Sequence, residues 1–201
     1  MTDYTQLPSR DIERLARPIN PGEWACDRAR PISTLLGSCV AVCLYDSGIP
    51  IAGMNHFMLP QMNKNRANDD DILLAGDACM EALLNGLLAQ GAARHRIRAK
   101  AFGGGTIIES TGQSLSIGKR NADFAREWLD RENIPLVSSD LLGPWSRKVL
   151  LVPQNGEALC KRITINAQSA EHLKREEKAY AASLNTPQSN VAGGEKRIEL
   201  F

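Results

Sequence analysis

The chain has 201 residues, with 24 Lys+Arg against 23 Asp+Glu, 43% hydrophobic residues and 5% aromatic ones. That length holds one well-buried domain plus appendages, and the near balance of charge excludes a strongly basic nucleic-acid binder, while the few aromatics exclude a base-stacking surface. The uncharged run from Pro31 to Tyr45 falls short of the roughly 20 residues of a membrane helix, and Asp3, Arg10, Asp11, Glu13 and Arg14 precede any apolar run, unlike a secretory signal, so the expected location is the cytoplasm.

In chain order, the first thirty residues contain Pro8, Pro18 and Pro21 and read as a lead-in segment with a helical turn or two over 12–17. Residues 32–60 are small, β-branched and apolar, broken once at Asp46-Ser47-Gly48, which predicts a hairpin. Asp69, Asp70 and Asp71 then open a segment in which Leu73, Gly76, Met80, Leu83, Leu84, Leu87 and Leu88 recur at three- and four-residue spacing before Gly91, so a helix is predicted there. A strand is predicted over 96–102, running into Gly103-Gly104-Gly105, followed by a loop and short strand over 107–117. Asn121 reads as the cap of a helix over 122–132, with Phe124, Trp128 and Leu129 inward and Pro135 beyond its end. Strands follow over 136–139, 148–152 and 159–165. The expected division is a lead-in over 1–20, one domain over 21–166, and a charged helix over 170–182 that passes into a loose polar tail. No period of about 20 to 50 residues repeats, which excludes a solenoid.

The hairpin carries the chemistry. With a two-residue loop at Ser47 and Gly48, facing residues have numbers that sum to 95, and Cys39 lies opposite His56, about 5 Å away between Cβ atoms. In that register Cys39, Ala41, Cys43 and Tyr45 share a face with Ala52, Met54, His56 and Met58, while Val40, Val42, Leu44, Ile51, Phe57 and Leu59 share the other. A loop one residue longer would turn His56 to the opposite face. Both faces are apolar, so the pair is expected inside a layered structure, with helices over one face and strands over the other. Leu36-Gly37-Ser38 brings a small, permissive backbone up to Cys39, with main-chain N–H groups of Gly37 and Ser38 available to an oxyanion. A histidine beside a thiol favours thiolate attack on an acyl carbon and can then protonate the leaving group. From spacing alone, such a pair is more often core than catalytic. The five cysteines are odd in number and lack any CxxC spacing, so neither a disulfide framework nor a zinc site is expected, and most should be buried small hydrophobes.

Ile32-Ser-Thr-Leu-Leu-Gly-Ser-Cys-Val-Ala-Val-Cys-Leu-Tyr-Asp46 and Gly53-Met-Asn-His-Phe-Met-Leu-Pro60 resemble the signature of the chemoreceptor glutamine deamidases, the CheD family. Pro21-Gly22-Glu23-Trp24, Ala101-Phe102-Gly103-Gly104 and Ile117-Gly118-Lys119-Arg120-Asn121 resemble it in order and approximate spacing, so the likeness spans roughly residues 20–165. The resemblance implies a three-layer α/β/β sandwich related to deamidating bacterial toxins. It also implies hydrolysis of glutamine side chains to glutamate in methyl-accepting chemotaxis receptors, with neither metal nor organic cofactor. Cys39 would be the nucleophile and His56 the general base and acid, with the oxyanion held by N–H groups near Ser38 and Cys39. The family's third residue is a threonine six places before the cysteine, where this chain has Ser33 with Thr34 adjacent; either hydroxyl could orient His56. Asn55, Gly103, Gly104 and Asn121 fall in these motifs and are expected beside the site. Receptor helices are the implied partner, with a CheC-type phosphatase as a further one, and the same chemistry would cleave a glutamyl methyl ester.

Two departures stand out. Asp140-Leu-Leu-Gly-Pro-Trp-Ser-Arg147 lacks two glycines of the family pattern, and the chain after residue 166 lies outside the shared motifs and is expected to dock a partner. Other motifs fail: Gly103-Gly104-Gly105 lacks the third glycine of a dinucleotide fingerprint, with Ile108 in its place, and Gly112 to Lys119 has neither the spacing nor the hydroxyl of a P-loop. His95 and His172 lie among charged residues and read as solvated surface. A module that binds receptors or a CheC-type phosphatase without turnover, and a different thiol acyl enzyme such as a peptidase or transglutaminase, are the rival readings.

Overall fold

Glycine and serine at positions 37 and 38 break the long apolar run into two strands that enter different sheets, and this corner organises the molecule. The computed structural model describes residues 3–59, 69–106, 114–163, 171, 175, 177–180 and 182–183. Its elements are α1 (Ser9–Leu15), β1 (Arg17–Pro18), β2 (Trp24–Asp27), β3 (Ile32–Leu36), β4 (Val40–Asp46), β5 (Ala52–Asn55), α2 (Asp69–Ala89), β6 (Ile97–Gly103), α3 (Ser114–Arg131), β7 (Leu136–Leu141), β8 (Ser146–Val152) and β9 (Glu157–Ile163). One sheet has the order β1-β3-β8-β9 and the other β2-β5-β4-β6-β7.

The five-stranded sheet divides two cores, because its central strand alternates two apolar sets. Val40, Val42, Leu44, Ile51 and Phe57 pack under α2 and α3 against Met80, Leu83, Leu87, Phe124 and Trp128. Cys39, Ala41, Cys43, Ala52, Met54 and Met58 pack against Ile32, Leu36, Val149 and Leu151 of the four-stranded sheet. The outer face of that second sheet carries α1, through Ile12 and Ala16 on Leu150 and Val152. The result is a mixed α/β fold with helices over one face of a sheet and strands over the other. Strands β6 and β7 run parallel, joined through α3 as a parallel pair requires. Among the described residues no helix is long and apolar enough to cross a membrane.

Three expectations are corrected. The hairpin pairs Cys43 with Met54 and Val40 with Phe57, so facing numbers sum to 97 rather than 95. The turn is longer because the Asp46 carboxylate takes the Gly48 N–H at 2.7 Å and Pro50 has no N–H to give the ladder; Asp46 N–H reaches Ile51 O instead, at 3.1 Å. The shift is two residues, so each side chain keeps the face assigned to it, and Cys39 and His56 become diagonal neighbours. Residues 114–117, expected to end a loop and short strand over 107–117, and Asn121, expected to cap the next helix, are helical: α3 begins at Ser114 and Asn121 lies within it. Gly118 serves close packing, since a Cβ there would stand 2.5 Å from Gly104 O. Strands β1 and β2 were not foreseen. The predicted loop over 107–113 and the tail over 184–201 lie outside the described residues, as does His172.

Candidate active site

Cys39 sits at the corner where the chain leaves β3 in one sheet for β4 in the other. The carbonyls of the corner are all taken from one side. Gly105 N–H donates to Gly37 O at 2.7 Å, the Asn121 side-chain amide to Ser38 O at 2.9 Å, and Gly104 N–H to Cys39 O at 2.7 Å. Gly103 adopts φ +114°, and a Cβ on it would stand 2.2 Å from Cys39 O, so only glycine allows this approach. With the carbonyls drawn one way, the N–H groups of Ser38 and Cys39 converge on the other. One carboxylate oxygen, Glu177 Oε1, receives both, at 2.8 and 3.3 Å, and Oε2 receives the Ser38 hydroxyl at 2.6 Å.

His56 is held through its backbone: its N–H donates to Glu23 O at 2.9 Å and its carbonyl accepts from Gly22 N–H at 2.8 Å. Its ring Nδ1 lies 2.8 Å from Thr34 Oγ1, which is 2.8 Å from Ile19 O. The Thr34 hydroxyl has one hydrogen and gives it to the Ile19 carbonyl, so it accepts from Nδ1–H and leaves Nε2 as the bare acceptor. Nε2 is buried without a hydrogen-bond partner among the described residues. Burial holds the imidazole's pKa down at about 3, so the ring is neutral at pH 7. Burial, and next the Glu177 charge, push the Cys39 thiol well above its ordinary value. The resting pair is therefore thiol and imidazole rather than an ion pair, and Cys39 and His56 are 0% and 2% exposed.

Thr34, not Ser33, supplies the hydroxyl at His56, because alternation along β3 turns Thr34 toward the inter-sheet core and Ser33 away from it. Gly37, Ser38, Gly103, Gly104 and Asn121 all frame the corner. Asn121 also accepts Leu59 N–H at 2.9 Å, tying the corner to the segment after His56. Asn55 faces the helices instead; its Oδ1 accepts Val42 N–H at 2.9 Å and fills the gap in the ladder between β4 and β5. Glu177, Tyr180 and the Ile19 carbonyl were missed. An acid in a charged helix gives no local signal of the partner it meets 138 residues away. His95 lies in a surface 3-10 turn far along the chain from this arrangement, and Cys26, Cys43, Cys79 and Cys160 are free thiols. Among the described residues no cluster of His, Cys, Asp and Glu is placed to hold a metal ion.

The corner thus sets a buried thiol beside two N–H groups that share one carboxylate oxygen, near a buried imidazole whose Nδ1 meets the Thr34 hydroxyl. Residues 58–162 match the family described as CheD chemotactic sensory transduction. The chain is 58% identical over 200 residues to the protein of Dechloromonas aromatica named "Probable chemoreceptor glutamine deamidase CheD 2", covering 99% of this chain and 100% of that one. It is 43% identical over 193 residues, 96% of each chain, to a protein of the same name in Burkholderia thailandensis. It is 39% identical over 194 residues to "Probable chemoreceptor glutamine deamidase CheD 1" of Shewanella oneidensis, covering 96% of this chain and 90% of that protein. The chain belongs to the CheD family.

Proposed function

We propose that this protein hydrolyses particular glutamine side chains of methyl-accepting chemotaxis receptors to glutamate, with Cys39 as nucleophile and His56 as general base and acid. The observation that carries the reading is the convergence of the Ser38 and Cys39 N–H groups on a single oxygen at the thiol. Names of relatives that span the whole chain support the substrate.

In the reaction, His56 Nε2 takes the thiol proton and the thiolate attacks the carboxamide carbon, while the oxyanion rests on the N–H groups of Ser38 and Cys39. The imidazolium returns its proton to the departing ammonia, leaving a glutamyl thioester. Water, deprotonated at the same nitrogen, attacks that thioester and releases glutamate and the thiol. Thr34 keeps Nε2 as the working nitrogen throughout. No step calls for a metal or organic cofactor. A glutamyl methyl ester would follow the same course with methanol leaving, and a fold kinship with deamidating toxins belongs to the same reading.

The test is mass spectrometry of receptor cytoplasmic fragments incubated with wild-type, Cys39→Ala or His56→Ala protein. A gain of about 1 Da at specific glutamines, lost in both variants, is the expected result, since an amide becomes an acid. Folded wild-type protein that changes none of several fragments would leave the binding module, for receptors or a CheC-type phosphatase, as the better account.

A further inference from the structure

The Cys39 thiol is buried, and residues 177–180 lie against the corner that carries it. Backbone at 177–180 is helical, and Glu177 reaches the corner with both carboxylate oxygens. The charge of the same carboxylate adds to burial in raising the pKa of the Cys39 thiol. One turn on, Tyr180 packs into the inter-sheet core that contains Cys39. Its ring fills the space a side chain at position 22 would occupy, with a Cβ there falling 2.5 Å from Cε2. Gly22 in turn donates its N–H to the carbonyl of His56. One helix therefore touches the backbone that holds both reactive residues, through two side chains three positions apart, which lie on one helix face.

An acyl oxygen on two N–H donors, with the adjoining carbon beside a thiol, is the pose of a glutamate just formed at this site. We infer that the C-terminal helix is an intramolecular occupant of the substrate site, that Glu177 is held as a product glutamate is held, and that the surface from Gly22 to Ser38 receives a helix that presents a glutamine. This rests on the deamidase reading for its chemistry, though the occupancy stands on the contacts alone. Glu177 survives there because a carboxylate carbon is a poor electrophile and carries no ammonia to expel. Being tethered, the helix competes at an effective concentration on the order of millimolar, so a receptor helix must displace it. Such competition raises KM and leaves kcat unchanged.

The experiment uses the full chain and three variants. In Glu177→Gln the occupant becomes a substrate: Cys39 attacks the amide carbon of residue 177, ammonia leaves with a proton from His56, and water releases glutamate. The peptide bearing residue 177 should gain about 1 Da at a rate independent of protein concentration, and not when Cys39→Ala is added. Glu177→Ala and Tyr180→Ala should expose the thiol, so that iodoacetamide alkylates Cys39, followed by peptide mapping, about fivefold faster or more than in wild type. Tyr180→Ala leaves the carboxylate charge in place and so separates uncovering from a change in thiol acidity. Both should lower KM for a receptor helical fragment at constant kcat. Equal alkylation in wild type and both variants overturns the occupancy. Faster alkylation with residue 177 still glutamine, in a protein that does deamidate receptor fragments, overturns the product-like pose. Faster alkylation with no turnover of either glutamine source upholds the occupancy and removes the deamidase reading instead.

Discussion

Thr34 decides which nitrogen of His56 can accept a proton, and it does so with a single hydrogen. Because that hydrogen is committed to Ile19 O, the hydroxyl can only accept from the ring. Thr34→Val keeps the shape and removes the acceptor, so the ring is free to carry its proton on either nitrogen. We expect kcat on a receptor fragment to fall about 10- to 100-fold with KM little changed, and Ser33→Ala to stay within about twofold of wild type. Both rates come from the same mass assay, and equal losses in the two variants would remove the role assigned to Thr34. At this scale the proposed pair was legible as residues, and the contacts around it were not. Cys39 and His56 followed from a hairpin pattern and a family likeness, whereas Ser33 and Thr34 stayed open because choosing between neighbours requires knowing which face of β3 meets the second sheet.

At the scale of elements, the turn after β4 sets the register on which the pair depends. The Asp46 carboxylate is buried and accepts from Gly48 N–H, Ala93 N–H and the Arg96 guanidinium, the last at 2.8 and 2.9 Å. The Arg96 guanidinium bonds are the chief reason its pKa lies far below the usual 3.8. A depressed carboxylate stabilises the fold fully above its unfolded pKa and loses that contribution as pH falls toward the folded value. Asp46→Asn should therefore cost about 2 kcal/mol in urea unfolding at pH 7, and the gap from wild type should narrow as the pH is taken below 4. A gap that stays constant with pH would show that packing, not charge, holds the turn. The elements themselves were legible where one period ran long, as in α2 and β6. They were not where residues serve distant partners. Asn121 read as a cap and Gly118 had no structural reading, yet Gly118 lets α3 approach Gly104 and Asn121 bridges Ser38 and Leu59. Strand β2 is four residues long with Trp24 exposed, so it offers no alternation to read.

Across the whole molecule, the loop from β7 to β8 crosses between the sheets, as the Cys39 corner does, and Arg147 fastens it. Its side chain is fully buried, paired with Asp140 at 2.9 Å, and donates to the carbonyls of Trp145 and Leu142. Arg162, 57% exposed, meets the other side of Asp140 and stacks over Trp145. Removing the buried member strands polar groups inside, so Arg147→Ala should cost about 3 kcal/mol by denaturant unfolding, against about 1 kcal/mol or less for Arg162→Ala. Similar small losses for both would mean that the sheets are held by apolar contact alone. In this loop Gly143 and the left-handed Leu142 carry the bend. The three donors that shape the thiol corner come from residues 104, 105 and 121. Synthesis runs from the N-terminus, so both reactive side chains leave the ribosome well before the backbone that gives them a purpose. A nascent chain holding Cys39 and His56 alone carries an ordinary thiol. The corner takes its shape only after α3 has docked, and the segment bearing Glu177, which meets the Ser38 and Cys39 N–H groups, is made later still.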